Sequence, residues 1–110
     1  MIEIREYIDE LGINHFGKWF QKLNALASAK VVRYIARIEQ GNFSTFKSAG
    51  QGVFECKIDF GPGYRVYFGK DGEQLVILLG GGTKKRQQQD IQKAQRLWQE
   101  YKSRKARGDN

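Results

Sequence analysis

The five residues Leu75-Val76-Ile77-Leu78-Leu79 offer no polar side chain to either face of a strand. Successive strand residues point to opposite sides, so a segment apolar at every position is expected to be a central strand covered on both faces. At 110 residues the chain can bury one such core but not two, so a single domain spanning 1–110 is expected.

The remaining periodicities supply the cover. Ile2, Ile4 and Ile8 share one face of a first strand over residues 2–8. From Gly12 to Leu23 the apolar residues Ile13, Phe16, Phe20 and Leu23 recur at helical spacing, and Val31, Ile35 and Ile38 do the same in a second helix over residues 28–40. The short connection between them predicts an antiparallel helical hairpin. After Gly41 the period changes to two. Residues 45–47 form a weak strand candidate, followed by stronger ones at 53–60, 64–69 and 75–79. Gly80-Gly81-Gly82 is expected to break the last strand. From Thr83 a long helix carries Ile91, Ala94, Trp98 and Tyr101 on one face, and the tail after about residue 104 is expected to fray. The order is β-α-α-β-β-β-β-α, an α+β chain.

The stretch Phe54–Phe68, FECKIDFGPGYRVYF, reads as a hairpin with polar residues on its second face. For Phe54, Cys56 and Ile58 to share a core with Tyr64, Val66 and Phe68, paired residue numbers must sum to an even number. A three-residue loop Gly61-Pro62-Gly63 satisfies this and sets Asp59 across from Arg65 and Lys57 across from Tyr67. On that register the polar face is a solvated cross-strand ladder or a functional surface. Cys56 falls with the core, as does Tyr64.

Charge favours the second reading. Residues 1–83 carry a net +1, whereas residues 84–110 carry +6, beginning with Lys84-Lys85-Arg86 directly after the triple glycine. Cations so concentrated suit a polyanion, because each phosphate neutralised releases a counterion. If the 75–79 strand neighbours the 64–69 strand, these cations approach Lys57 and Arg65 and form a basic, aromatic-edged concavity. One cysteine and one histidine, Cys56 and His15, make neither an internal disulfide nor a structural zinc site, and no metal or cofactor is expected. No apolar run is long enough to span a membrane, and the N-terminus has no signal-peptide core, so a cytoplasmic location is expected.

Glu55-x-Lys57-Ile58, then Gly61-Pro62-Gly63-Tyr64-Arg65-Val66-Tyr67-Phe68, the apolar strand ending in Gly80-Gly81-Gly82, Lys84, and Asp90-Ile91-x-x-Ala94 resemble the RelE/ParE superfamily of type II toxin–antitoxin toxins. The nearer likeness is to its HigB-like branch of addiction module killer proteins, and it covers about residues 2–98. The resemblance implies a small RelE-like fold with an antiparallel-dominated sheet, two N-terminal helices and a C-terminal helix. It implies a bacterial or phage-encoded messenger RNA endonuclease acting in the ribosomal A site without a metal, opposed by a cognate antitoxin in a hetero-oligomer. By motif position it implies Lys57 and Arg65 at the scissile phosphate, Lys84 as a further cation, Glu55 as base or orienting group, and Tyr67 for stacking or proton transfer. Lys85, Arg86, Lys93 and Arg96 are the candidates for contact with messenger or ribosomal RNA. Two other readings belong to the same resemblance or the same charge: a ParE-like poison of DNA gyrase, and a noncatalytic binder of nucleic acid or antitoxin.

Overall fold

A computed structural model describes residues 1–109; Asn110, the end of the expected frayed tail, lies outside the described residues. Five strands, β1 (Glu3–Glu6), β2 (Phe46–Gly50), β3 (Val53–Ile58), β4 (Tyr64–Asp71) and β5 (Leu75–Thr83), form one sheet. Its order is β1-β5-β4-β3-β2, with β1 parallel to β5 and every other pair antiparallel. Helices α1 (His15–Gln21) and α2 (Ala25–Glu39) lie between β1 and β2, and α3 (Gln87–Ala106) ends the chain after a 3₁₀ turn at Lys84–Arg86. The element order is the one read from the sequence.

Local chemistry sets the helix starts. The side chains of Asn14 and Asn24 accept hydrogen bonds from Gly17 N and Ala27 N at 2.8 and 2.9 Å, closing donors that each first turn leaves open. The first helix therefore begins at His15, later than the expected Gly12, because residues 9–13 are held as a turn by Asp9. Its Oδ1 accepts from Leu11 N and Ile13 N, and its Oδ2 lies 2.7 Å from His15 Nε2. His15 is thus tied to a structural turn. The first strand is also shorter than expected: Ile2 is buried and Ile4 packs beside it, but Ile8 is exposed and Tyr7 turns to the opposite core.

Both faces of β5 are covered. Val76 and Leu78 join Phe16, Val31 and Ile38 of α1 and α2, with Cys56, Val66 and Phe68 on the same face. Ile77 and Leu79 join Ala94, Leu97 and Trp98 of α3, with Val53 and Tyr67. Full burial of each such aliphatic or aromatic side chain contributes about 1.5–3 kcal/mol, which is why a small chain invests in two apolar layers. The helix runs past residue 104 because its last turns are tethered. Tyr101 donates to Asp71 at 2.5 Å, Lys105 reaches the same carboxylate, and Arg107 pairs with Glu10.

The triple glycine does not break β5. The strand continues to Thr83, with a register shift opposite Tyr67/Phe68 that leaves Leu79 as the extra residue. These glycines serve close approach instead. A Cβ on Gly81 would overlap the ring of Trp19 on one face, just as a Cβ on Gly69 would overlap the ring of Trp98 on the other. Two tryptophans therefore rest on two glycines from opposite sides, fixing α1 and α3 against the sheet. Gly81→Ala and Gly69→Ala are expected to lower unfolding free energy by about 1–3 kcal/mol through overpacking. Gly80→Ala, whose Cβ would meet nothing within 4 Å, is expected to show the smallest loss of the three. Urea titration of the three variants measures this directly.

Candidate nucleic-acid interface

The β3–β4 hairpin pairs in an even register, but two residues away from the expected one. Ile58 faces Tyr64, Cys56 faces Val66, and the loop is the five residues 59–63. Parity fixed which side chains share a face but could not choose between loops differing by two. Hydrogen bonds from Phe60 N to Ile58 O and from Gly63 N to Phe60 O complete the longer loop. Arg65 consequently stands across from Lys57, not Asp59, and Tyr67 stands across from Glu55, not Lys57.

Two cross-strand rows result on the face covered by α3. One runs Lys47–Glu55–Tyr67–Gly80 from β2 to β5, and its neighbour runs Lys57–Arg65–Gly82. The centre of this polar strip is not solvated. Glu55, Arg65 and Tyr67 are 1%, 5% and 0% exposed, so the ladder open to water expected from alternation is replaced by an interior network. The cause is α3: its first turn lies over the strip, and Gln87 Nε2 donates to Glu55 Oε1 at 2.8 Å.

The Glu55 carboxylate lies 3.4 Å from Arg65 Nε, within ion-pair range but not aligned as a hydrogen bond; Glu55 Oε2 and Arg65 Nε are left without a hydrogen-bond partner among the described residues. The Tyr67 hydroxyl shares that condition. Burial raises the Tyr67 pKa first, and the charges of Glu55 and Asp90 add to it. The phenol stays protonated and available as a donor.

The strip emerges at its edges. Lys47 is exposed, with its Nζ 4.0 Å from Glu55 Oε2. Lys57 is exposed beside Arg65. The Gly63 carbonyl accepts from both Arg65 Nη1 and Lys84 N, each at 3.1 Å, and so clamps the hairpin loop to the end of β5. That shared acceptor brings the Lys84 backbone next to the guanidinium.

The structure therefore gathers Lys57, Arg65, Lys84 and Glu55 at one end of the sheet, with Tyr67 beneath α3. Lys85 and Arg86 are exposed in the 3₁₀ turn, Lys93 is exposed on α3 beside a cavity that Arg86 also lines, and Arg96 is exposed farther along α3. Sequence reasoning missed Lys47, which sat in the weakest strand candidate, and Gln87, one of several glutamines without a distinguishing pattern.

Burial divides these residues experimentally. Arg65→Ala strands the Glu55 carboxylate in the interior and is expected to cost about 3–5 kcal/mol. Lys57→Ala and Lys84→Ala, both on the surface, are expected to stay within about 0.5 kcal/mol of the parent. Equal stability of all three in guanidinium titration would contradict the buried pair.

The family described as "Phage derived protein Gp49-like (DUF891)" matches residues 18–102. An uncharacterized protein of Haemophilus influenzae (strain ATCC 51907 / DSM 11121 / KW20 / Rd) is 48% identical over 86 residues, covering 77% of this chain and 87% of the relative. The matched span runs from α1 through most of α3 and includes the whole hairpin, the glycine-ended strand and the buried strip. The chain belongs to the Gp49-like phage-derived protein family, within the RelE-like group of addiction module killer proteins.

Proposed function

We propose that this chain is a HigB-like toxin of a type II toxin–antitoxin module and that it cuts messenger RNA in the ribosomal A site. The observation that carries this reading is the convergence of Lys57 and Lys84 on either side of Arg65, where the hairpin loop meets the end of β5. Three cations at one rim, two of them exposed, suit a phosphate whose charge grows as a phosphorane forms.

In the proposed reaction the 2′-oxygen of one nucleotide bonds to the adjacent phosphorus while the bond from phosphorus to the 5′-oxygen breaks. The products are a 2′,3′-cyclic phosphate and a free 5′-hydroxyl. A guanidinium stays charged at working pH, so in this scheme Lys57, reacting as the neutral amine, takes the 2′-hydroxyl proton and Lys84, as the ammonium, gives one to the leaving oxygen. Arg65, held by Glu55 and the Gly63 carbonyl, supplies fixed positive charge. Its burial makes Glu55 an orienting group in this scheme and leaves Tyr67 a supporting one. Lys85 and Arg96 are read as contacts to messenger or ribosomal RNA, and a cognate antitoxin is the partner that holds the toxin in check.

Primer extension on a message in a bacterial cell-free translation reaction tests this proposal. New RNA ends are expected with translated message only, lost at least 100-fold in Lys57→Ala and Lys84→Ala, in line with the usual scale of general acid–base contributions. Intact message in a reaction the protein nonetheless arrests would sink the nuclease reading, and supercoiling by gyrase would then be assayed.

A further inference from the structure

Pairing of β1 with β5 stops at Glu6 and Leu78, while β5 continues to Thr83. Beyond that point the outer backbone edge of Gly80–Gly82 carries no strand and forms the floor of a cavity of about 360 Å³ between α1 and α3. This volume falls in the range of small-ligand sites, roughly 300–1,000 Å³. Lys18 of α1, Lys22 just beyond its end, Arg86 of the 3₁₀ turn and Lys93 of α3 surround it, Trp19 forms one wall, and Tyr67 and Asp90 also line it.

Two features mark this as more than a gap. Tyr67 is fully buried, yet its hydroxyl has no hydrogen-bond partner among the described residues. Asp90 is the single acid in a ring of four cations, and its carboxylate rests on Gly82, where any Cβ would overlap it. Burial holds the Asp90 pKa above the usual carboxylate range, against the pull of Arg86 and Lys93. The cleavage scheme above gives Asp90 no part.

We infer that this cavity takes one unstacked nucleotide of single-stranded RNA, with Asp90 reading an exocyclic amino group on the base and the surrounding cations holding the flanking phosphates. The inference deepens the nuclease reading and rests on it for its biological setting. An aromatic wall, a polar edge and phosphate-binding cations are the recurring means of holding splayed bases. Carboxylates accept from base amino groups, whereas uracil has none to give. An acidic peptide adding a strand to the open edge is the competing occupant, but it would bring its carboxylates against Asp90.

The test uses the full chain and 2′-O-methylated hexamers of cytidine, adenosine and uridine, labelled for fluorescence anisotropy. Lacking the attacking hydroxyl, these probes cannot be cut, so binding is scored apart from catalysis. Cytidine or adenosine hexamers are expected to bind about tenfold more tightly than the uridine hexamer, and the isosteric Asp90→Asn should reduce that ratio to within about twofold. Lys22→Ala, at an exposed position, should weaken all three alike and lower the salt slope by about 0.7. An unchanged ratio in Asp90→Asn, or no base preference in the parent, overturns the inference. So does displacement of the hexamers by an alternating glutamate–valine peptide whose affinity is insensitive to Asp90→Asn. A parent that binds as expected but leaves translated message intact refutes the nuclease reading alone.

Discussion

A carboxylate and a guanidinium sealed between a sheet and a helix govern how this molecule is arranged. Glu55 and Arg65 come from neighbouring strands, and neither could be covered without the other. Covering them requires the start of α3 to lie across the strip, which Gln87 secures by its bond to Glu55. Arg65 in turn holds the hairpin loop through Gly63, and the same carbonyl holds the backbone of Lys84. One buried pair therefore sets the positions of the hairpin tip, the 3₁₀ turn and the first turn of the last helix, the three places from which the exposed cations project.

The apolar layers make that arrangement rigid. Trp19 on Gly81 and Trp98 on Gly69 press the helices onto the sheet where a methyl group would already be too much. Trp98 also stacks on Tyr101, with centroids 5.1 Å apart and planes 8° from parallel. Tyr101 is spent on packing and on Asp71, which places the last tyrosine of the chain in the support of the fold. Cys56 is likewise inert: it is buried in the α1–α2 core, and burial raises its thiol pKa.

Much of this was legible in the residues. The all-apolar β5 demanded cover on both faces, the helical spacings located all three helices, and parity sorted the hairpin side chains onto the correct faces. What escaped was what periodicity does not encode. Even parity is satisfied equally by loops of three and five residues, so the partners of Arg65 and Tyr67 came out two positions away. Alternation identified a polar face but not that α3 would lie on it, because the apolar stripe of Ile91, Ala94 and Trp98 does not say which side of the sheet it seeks. A run of three glycines reads as a break when seen from the backbone alone, and as a landing site for tryptophan only when both helices are in place. The pocket above that run joins residues 15–22 to residues 86–94 and had no local signature.

In the proposed function RNA meets this protein where the buried strip surfaces, at the hairpin, the 3₁₀ turn and the mouth between α1 and α3. Photocrosslinking answers most directly: 4-thiouridine is placed in the A-site codon of a message on stalled ribosomes, the protein is added, and crosslinked peptides are identified by mass spectrometry. Crosslinks falling within residues 57–65 and 84–93 are the predicted result. Crosslinks confined to the outer face of α2, or none above those seen with a message lacking the thionucleotide, would contradict it.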